Sequence, residues 1–592
     1  MNPQFRRLTP LAMCFGPQQQ GSERSKRQSP VLQLSPKLMA AIEAGRTRLL
    51  VTGMVFSLAF ATLGARLIDV TLFERDGTAS VVQRAVAAKR VGDRADIVDR
   101  NGIVLATSLP TASLYANPQM VRSAADAARR IAAVIPGASE AELRSKLSSK
   151  KSFVWLKRQL TPTQQYQVNR LGIPGLQFQK EFQRYYPHGA LLSHTVGFAG
   201  LDNQGLSGIE QYFDKRLREE GTPLALSIDI RMQFILTQEL AKAMQKFNAI
   251  GATGTVLDVR SGEVLALSSL PSFEPTAAAS ASDDARFNRA TLGLYEMGSV
   301  FKIFTTAMAL DQGFVDFDDG YDTSKPIRAA RYTIRDYKPK NRWLSIPEIF
   351  IYSSNIGTVH MAMEAGTGAQ RAFLKNIGLL SAPSLEVSEV GAPLLPSPWR
   401  EINTMTISYG HGLAVSPLQV AAAVSSIVNG GELHPLTLVR RASAEDIPAR
   451  RVISEKTSRQ MRQLMRLTVT NGTGRKADAE GYFVGGKTGT ADKQAGKGYA
   501  RNKRIASFVG AFPMTDPRYV VLVMLDEPKG IKETHGYATG GWVAAPVMRG
   551  IVERIGPIAG LAPRGADQID DGTEQILVRI KANAEGHAIA SN

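Results

Sequence analysis

The chain has 592 residues, 44% of them hydrophobic and 7% aromatic, a composition that builds packed domains and a length that calls for two or three of them. Lys and Arg outnumber Asp and Glu by 71 to 53, a formal net charge of +18, which suits anionic polymers, nucleic acids or lipid headgroups as partners. No zinc-ligand spacing, phosphate-cradling Gly-x-x-x-x-Gly-Lys loop or aromatic RNA-binding signature accompanies the charge, so no nucleic acid, metal or cofactor is expected.

Residues 1–48 form a basic arm, with Gln, Ser and Pro enriched over 18–36, and its composition predicts a disordered tail. The single cysteine, Cys14, lies in this arm, so everything downstream must fold without a disulfide and without a catalytic thiol. Residues 49–65 carry no charge and are bounded by Arg48 and Arg66, with Leu67, Ile68, Val70 and Leu72 available to extend a tilted helix. A transmembrane anchor over 49–72 is therefore expected. A cleaved secretory signal would begin nearer the terminus. Basic residues close to the span are balanced on its two sides. The whole arm, however, holds Arg6, Arg7, Arg24, Lys26, Arg27, Lys37, Arg46 and Arg48 against Glu23 and Glu43. That bias predicts a single-pass protein with a cytoplasmic amino end and the large remainder outside.

Residues 73–223 mix short β-rich runs, turn signals such as Asp99-Arg100-Asn101-Gly102, and a helical stretch over 124–134. No catalytic constellation appears there. From 224 to 563 the texture changes to long helices and apolar strands, with strands expected at 254–267, 505–512 and 519–525, and reads as a large α/β body. Residues 564–592 read as a polar tail with one strand-like run at 575–580.

A serine becomes a nucleophile when a base lies within reach, and Ser-x-x-Lys at a helix start supplies one. Ser148-Ser149-Lys150-Lys151 matches the spacing within a polar, basic stretch, where a solvated charge run accounts for it. Ser299-Val300-Phe301-Lys302 follows Gly298 and opens an apolar helix, so positions i and i+3 share a face. Ser353-Ser354-Asn355 and then Lys487-Thr488-Gly489-Thr490 follow in chain order. Alone, the first of these would be a helix cap and the second a strand edge; the three in this order match penicillin-recognising serine enzymes.

With these motifs the chain resembles the class B penicillin-binding proteins from the anchor to about Gly560. Arg94-Ala95-Asp96 through Gly102, Arg184-Tyr185-Tyr186-Pro187, His194-Thr195-Val196-Gly197-Phe198 and Gly208-Ile209-Glu210 are similar to that family's pedestal motifs. Ser408-Tyr409-Gly410-His411-Gly412 is a further match to the family, and Ser353-Ser354-Asn355-Ile356-Gly357 with the compact body resembles its septal, FtsI-type members. The resemblance implies an α/β penicillin-binding serine transpeptidase fold, a β-sheet flanked by helices, standing on a mixed α+β pedestal behind one transmembrane helix. It also implies a peptidoglycan D,D-transpeptidase that cross-links stem peptides and is a β-lactam target, with Ser299 as nucleophile, Lys302 as base, Ser353 as proton relay and Asn355 orienting Lys302. Backbone N–H groups of Ser299 and Thr490 would form the oxyanion hole, and Lys487, Thr488 and Thr490 would hold the substrate carboxylate, Gly489 letting it lie against the strand. Expected partners are stem peptides, β-lactams, a membrane glycan polymerase and other division proteins. The chain departs from the family at Met297, where Pro is usual, at Ala95, where Gly is usual, and near His360, where Lys is frequent, and none of these removes a group that handles protons or charge in the chemistry. A side-wall transpeptidase, or a β-lactam sensor or hydrolase on the same fold, is the alternative; the pedestal motifs weigh against the sensor.

Overall fold

The computed structural model describes residues 36–68, 94–329, 332–442, 447–495, 498–565 and 571–590. The chain divides into two units, residues 1–88 and 89–592. In the first, the described residues form one helix, Pro36–Ile68, whose Gly45–Ala65 stretch has a mean hydropathy of 1.6 and is long and apolar enough to cross a membrane. The helix starts well before the expected residue 49. Pro36 is pre-organised for a first helical position, and the Ala, Leu, Met and Glu that follow are strong helix formers. The expected disordered arm up to residue 35, Cys14, and the end of the anchor beyond Ile68 lie outside the described residues.

The second unit is organised by a five-stranded antiparallel sheet in the order Gly485–Ala495, Gly498–Phe512, Tyr519–Asp526, Gly251–Asp258, Val264–Leu270. Tyr519–Asp526 is the middle strand and is buried at every position. Its alternation sends Tyr519, Val521, Val523 and Leu525 into the core shared with helices Ile230–Lys246 and Ala545–Ile558. Val520, Leu522 and Met524 enter the opposite core, shared with helices Lys302–Asp311, Pro417–Val428 and Glu455–Thr470. A strand covered on both faces reads as a continuous apolar run. The strand expected over 254–267 is two strands of a hairpin. Its turn passes through Gly262 at φ +72°, where a Cβ would stand 2.4 Å from Pro435 O.

Ahead of this body, Val104–Ala116 pairs antiparallel with Ile97–Val98, Val154–Leu160 and Leu176–Tyr185, and Ile97–Val98 runs parallel to Leu224–Ala225. Helices Ala124–Val134, Glu140–Leu147 and Pro162–Arg170 close a small core on this sheet around Leu114, Ile131, Leu143 and Leu160. Three of the sequence motifs meet in one buried ion cluster. Glu210 pairs with Arg94 and with Arg184, the latter at 2.6 Å, and Arg94 also pairs with Asp214 at 2.6 Å. Removing one member of such a cluster leaves an uncompensated buried charge. Asp99 accepts from the N–H of Asn101, Ile103 and Ile230, so the turn expected there also supports the start of helix Ile230–Lys246.

The expected polar tail carries a helix instead, Thr573–Ala590. Ile576 is buried against Ile351 and Leu467, and Leu577 and Ile580 are partly buried beside it. Positions 576, 577 and 580 follow helical spacing, and this decides against the strand-like reading of 575–580.

Candidate active site

Three backbone segments meet without side chains between them. A Cβ on Gly298 would stand 2.4 Å from Thr490 O, one on Gly489 2.6 Å from Met297 O, and one on Gly410 2.0 Å from Gly298 O. Gly298 and Gly410 also take φ of +54° and +91°, a region that side chains disfavour. The turn Gly298–Phe301 therefore lies flat against strand Gly485–Ala495 and brings the Ser299 backbone beside that of Thr490. From this turn the chain enters helix Lys302–Asp311.

Ser299 and Lys302 sit one turn apart, with Lys302 Nζ 3.1 Å from Ser299 Oγ. The same nitrogen lies 2.6 Å from Ser353 O, 2.7 Å from Asn355 Oδ1 and 3.1 Å from Ser353 Oγ. The two shortest contacts are to carbonyl oxygens, which only accept. A neutral amine has two N–H bonds for those two acceptors and one lone pair, which is left facing the hydroxyls. Lys302 is fully buried, and burial, reinforced by the Lys487 ammonium, pushes its pKa well below the usual lysine value against an opposing pull from Asp336. Lys487 is also fully buried, and that burial lowers its pKa to about 7. Its Nζ donates to Ser353 Oγ at 2.9 Å, so the Ser353 hydroxyl bridges the two lysines.

Ser353 ends helix Ile346–Tyr352 in a left-handed conformation, φ +61° and ψ +44°, and Ser354 caps the next helix, Asn355–Asn376, accepting from Gly357 N at 3.0 Å. The middle residue of Ser-x-Asn is thus the cap, and the outer two face the lysines. On the strand, Thr488 Oγ1 is 2.9 Å from Thr473 Oγ1, and Thr490 Oγ1 accepts from Gly540 N at 3.0 Å. Ser299, Ser353, Asn355 and Thr490 are half-buried, so the groups that would meet a ligand border solvent while the Lys302 and Lys487 side chains do not.

The structure brings Ser299, Lys302, Ser353, Asn355 and Lys487 into one contact network, with Thr488, Gly489 and Thr490 along the adjoining strand. Ser148 stands apart from it, exposed at the carboxyl end of helix Glu140–Leu147 beside exposed Lys150 and Lys151. Sequence reasoning missed Asp336, whose carboxylate accepts from Asn355 N and Ile356 N at 2.5 and 3.0 Å, and Glu296, which accepts from Gly412 N, Gln494 Nε2 and Tyr499 OH. Asp336 belongs to no motif and no spacing points to it; Glu296 stands in the quoted run before Ser299 and was discoverable as a buried carboxylate. Of the departures, Met297 and Ala95 are buried in the core, and His360 stacks on Tyr321 at 5.4 Å.

Comparison with known proteins places this geometry. A family model described as the penicillin binding protein transpeptidase domain matches residues 252–553, and one described as the penicillin-binding protein dimerisation domain matches residues 89–222. The chain is 38% identical over 504 residues to the probable peptidoglycan D,D-transpeptidase FtsI of Caulobacter vibrioides, covering 83% of this chain and 85% of that protein. It is 30% identical over 495 residues to the peptidoglycan D,D-transpeptidase FtsI of Escherichia coli K12, covering 78% and 82%. Among solved structures, the apo TP domain of Burkholderia pseudomallei penicillin-binding protein 3 superposes with a TM-score of 0.52 at 36% identity, covering 57% of this chain and 97% of that one. Penicillin binding protein 3 of Mycobacterium tuberculosis, complexed with aztreonam, shares the fold over 80% of this chain and 98% of that one, with a TM-score of 0.64 at 23% identity.

Proposed function

This chain belongs to the class B penicillin-binding proteins of the FtsI type, and on that premise we propose a role for each residue of its site. The protein is a serine-type peptidoglycan D,D-transpeptidase and a β-lactam target. Ser299 Oγ attacks the carbonyl between the two terminal D-alanines of a stem peptide as its proton passes to the lone pair of Lys302. The backbone N–H groups of Ser299 and Thr490 hold the oxyanion; one such donor is worth about 2.7–4 kcal/mol. Collapse of the tetrahedral intermediate breaks the peptide bond, and Ser353 Oγ, resupplied from the lysines it bridges, protonates the departing D-alanine amine. An amine of a neighbouring stem peptide then attacks the ester, returns its proton along the same path and releases Ser299. Asn355 fixes Lys302, and Lys487 with Thr488 and Thr490 holds the substrate carboxylate, Gly489 leaving room for it at the strand edge.

The observation that supports this reading most is the four-way contact of Lys302 Nζ with Ser299, both oxygens of Ser353, and Asn355, closed by Lys487 on the same Ser353 hydroxyl. We place the cytoplasmic arm at 1–48, the anchor at 49–72, a non-catalytic pedestal at 73–223 and the transpeptidase domain at 224–563. The anchor lies in the inner membrane with the catalytic body in the periplasm, beside a membrane glycan polymerase and other division proteins at the septum; likeness to the FtsI relatives supports the septal assignment. Two experiments test this. The full chain, given a peptide ending in D-alanyl-D-alanine and an acceptor amine, should release one D-alanine per cross-link, and Ser299→Ala none; cross-linking by Ser299→Ala overturns the assignment. A fluorescent fusion should gather at mid-cell, and a lateral pattern would replace the septal role with side-wall synthesis.

A further inference from the structure

The pedestal sheet has one face closed by helices and one face without them. On the closed face Leu114, Ala116, Leu156 and Leu160 are buried under helices Ala124–Val134, Glu140–Leu147 and Pro162–Arg170. Strand alternation sends Tyr115 and Trp155 to the other face, where the register sets Trp155 of the outer strand against Tyr115 and Tyr115 against Gln177. Phe153, just ahead of that outer strand, completes a cluster: its ring centroid lies 4.8 Å from that of Tyr115 and 5.0 Å from that of Trp155. None of the three belongs to the core beneath the helices. Phe153 is 43% exposed, and Tyr115 and Trp155 are half-buried. The same end of the sheet carries the basic run whose Ser-x-x-Lys spacing plays no part at the active site. Gln119 Nε2, just past the end of strand Val104–Ala116, donates to Lys150 O at 3.1 Å and so fixes this run beside Phe153. Lys150 and Lys151 are exposed, and neither forms an ion pair among the described residues, whereas nearby Lys146 is held by Glu142 at 2.7 Å. Arg158, 5.5 Å from the Trp155 ring, is likewise neutralised, by Glu181 at 3.1 Å and Asp202 at 2.8 Å. Tyr115 OH donates to Gln177 Oε1, which leaves the amide nitrogen of exposed Gln177 as a donor on the same face.

We propose that Tyr115, Phe153 and Trp155, with Gln177, Lys150 and Lys151, form a binding platform for the glycan strand of peptidoglycan, the polymer whose stem peptides the enzyme joins. The chemistry of that polymer matches the platform group by group. A pyranose ring presents C–H groups on its face, and their hydrogens sit favourably on the negative face of an aromatic ring. Acetamido and hydroxyl groups exchange hydrogen bonds with a carboxamide such as Gln177. Stem-peptide carboxylates meet the unpaired ammonium groups of Lys150 and Lys151, in keeping with a chain of net charge +18. A protein partner is the weaker match. A stable protein interface covers about 800 Å² on each side, whereas an aromatic side chain has at most about 250 Å² to bury, and these three already cover part of one another. Holding the strand at a second point raises the effective concentration of its stem peptides at the active site without altering the chemistry there. The inference takes from the proposed function only that peptidoglycan is the substrate; it does not depend on the roles assigned around Ser299.

The test measures binding of soluble, un-cross-linked glycan strands with intact stem peptides to the full chain in detergent, treated beforehand with penicillin to close the active site. Thermal melting reports on folding, and acylation by a fluorescent penicillin, a probe with no glycan, reads the active site separately. Trp155→Ala should weaken strand binding by about 10-fold, the scale of one lost aromatic contact. Lys150→Glu combined with Lys151→Glu should weaken it by about 10-fold at low ionic strength, and the loss should shrink as salt is added. Strands stripped of their stem peptides should bind the wild type and this double variant alike, while Trp155→Ala still loses affinity for them. A wild-type chain that binds no strands, or a folded Trp155→Ala chain with wild-type affinity, overturns the proposal. Should Trp155→Ala melt below the assay temperature, Phe153→Ser decides, and its wild-type affinity would overturn the proposal. A Trp155→Ala chain that binds strands normally but loses self-association, or septal function in cells, would assign this face to a second copy or to a protein partner instead.

Discussion

Gly410→Ala adds a single methyl group outside all three catalytic motifs, yet it should nearly silence the enzyme. The new Cβ would stand 2.0 Å from Gly298 O, 2.5 Å from Gly298 C and 2.7 Å from Gly298 Cα. All three are backbone atoms of the residue that precedes the nucleophile, so no side chain can swing away to make room. Reaching ordinary contact requires the two backbones to part by roughly 1.4 Å, and Gly298 is itself pressed against Thr490 O, so the Ser299 N–H leaves its place beside Thr490. Displacement of about 1 Å at a reacting group costs about 10²-fold in rate. The φ of +91° adds about 1–3 kcal/mol of backbone strain. Gly430→Ala is the matching control, since Gly430 has φ +99° and nothing within 4 Å of its Cβ position: it carries the strain without the clash. The assay is the second-order acylation rate with a fluorescent penicillin, paired with a thermal melt. Gly410→Ala should lose about 10²-fold while Gly430→Ala acylates normally; wild-type acylation by a folded Gly410→Ala would refute the reasoning.

The acylation rate should rise as pH carries Lys302 from ammonium to amine, at a pH far below 10.5 because burial and Lys487 favour the neutral form. It should fall again on the alkaline side as Lys487, lowered to about 7 in the free enzyme, loses the charge that holds the substrate carboxylate. A rate that climbs only near 10.5 contradicts the assignment of the base. Ile576→Asp puts a carboxylate against Ile351 and Leu467, two residues before Ser353 in the first case, and should lower stability by about 3 kcal/mol, read as a lower Tm together with slower acylation. An unchanged Tm would show that the carboxyl-terminal helix does not support the site.

What the sequence made legible follows the range of the interaction. Ser299 and Lys302 share a helix face, and their spacing is local, so it could be read directly. That Lys487, 134 residues after Ser353 in the chain, shares its hydroxyl is visible in sequence only through the order of motifs. The middle strand showed as an apolar run because both its faces are covered, whereas the turn at Gly262 is marked by the polar break Arg260-Ser261-Gly262-Glu263, which the reading of 254–267 as one strand passed over. The helix Thr573–Ala590 escapes the sequence pattern because its inward positions, buried Ile576 and partly buried Leu577 and Ile580, are few and set among charged residues. Asp336 left no trace at all: a carboxylate that caps a helix eighteen or more residues away looks like any surface acid.

The most direct test of the whole account is to find the atom that β-lactams acylate. The β-lactam ring opens without releasing a group that diffuses away, so the acyl-enzyme persists long enough for intact-protein mass spectrometry and peptide mapping. The full chain should gain the mass of one β-lactam, on the peptide that contains Ser299, with Ser148 unmodified. Ser299→Ala should gain none, and Lys302→Ala should gain it more slowly by orders of magnitude. An adduct that survives Ser299→Ala, or a folded wild-type chain that acquires none, would contradict the central claim.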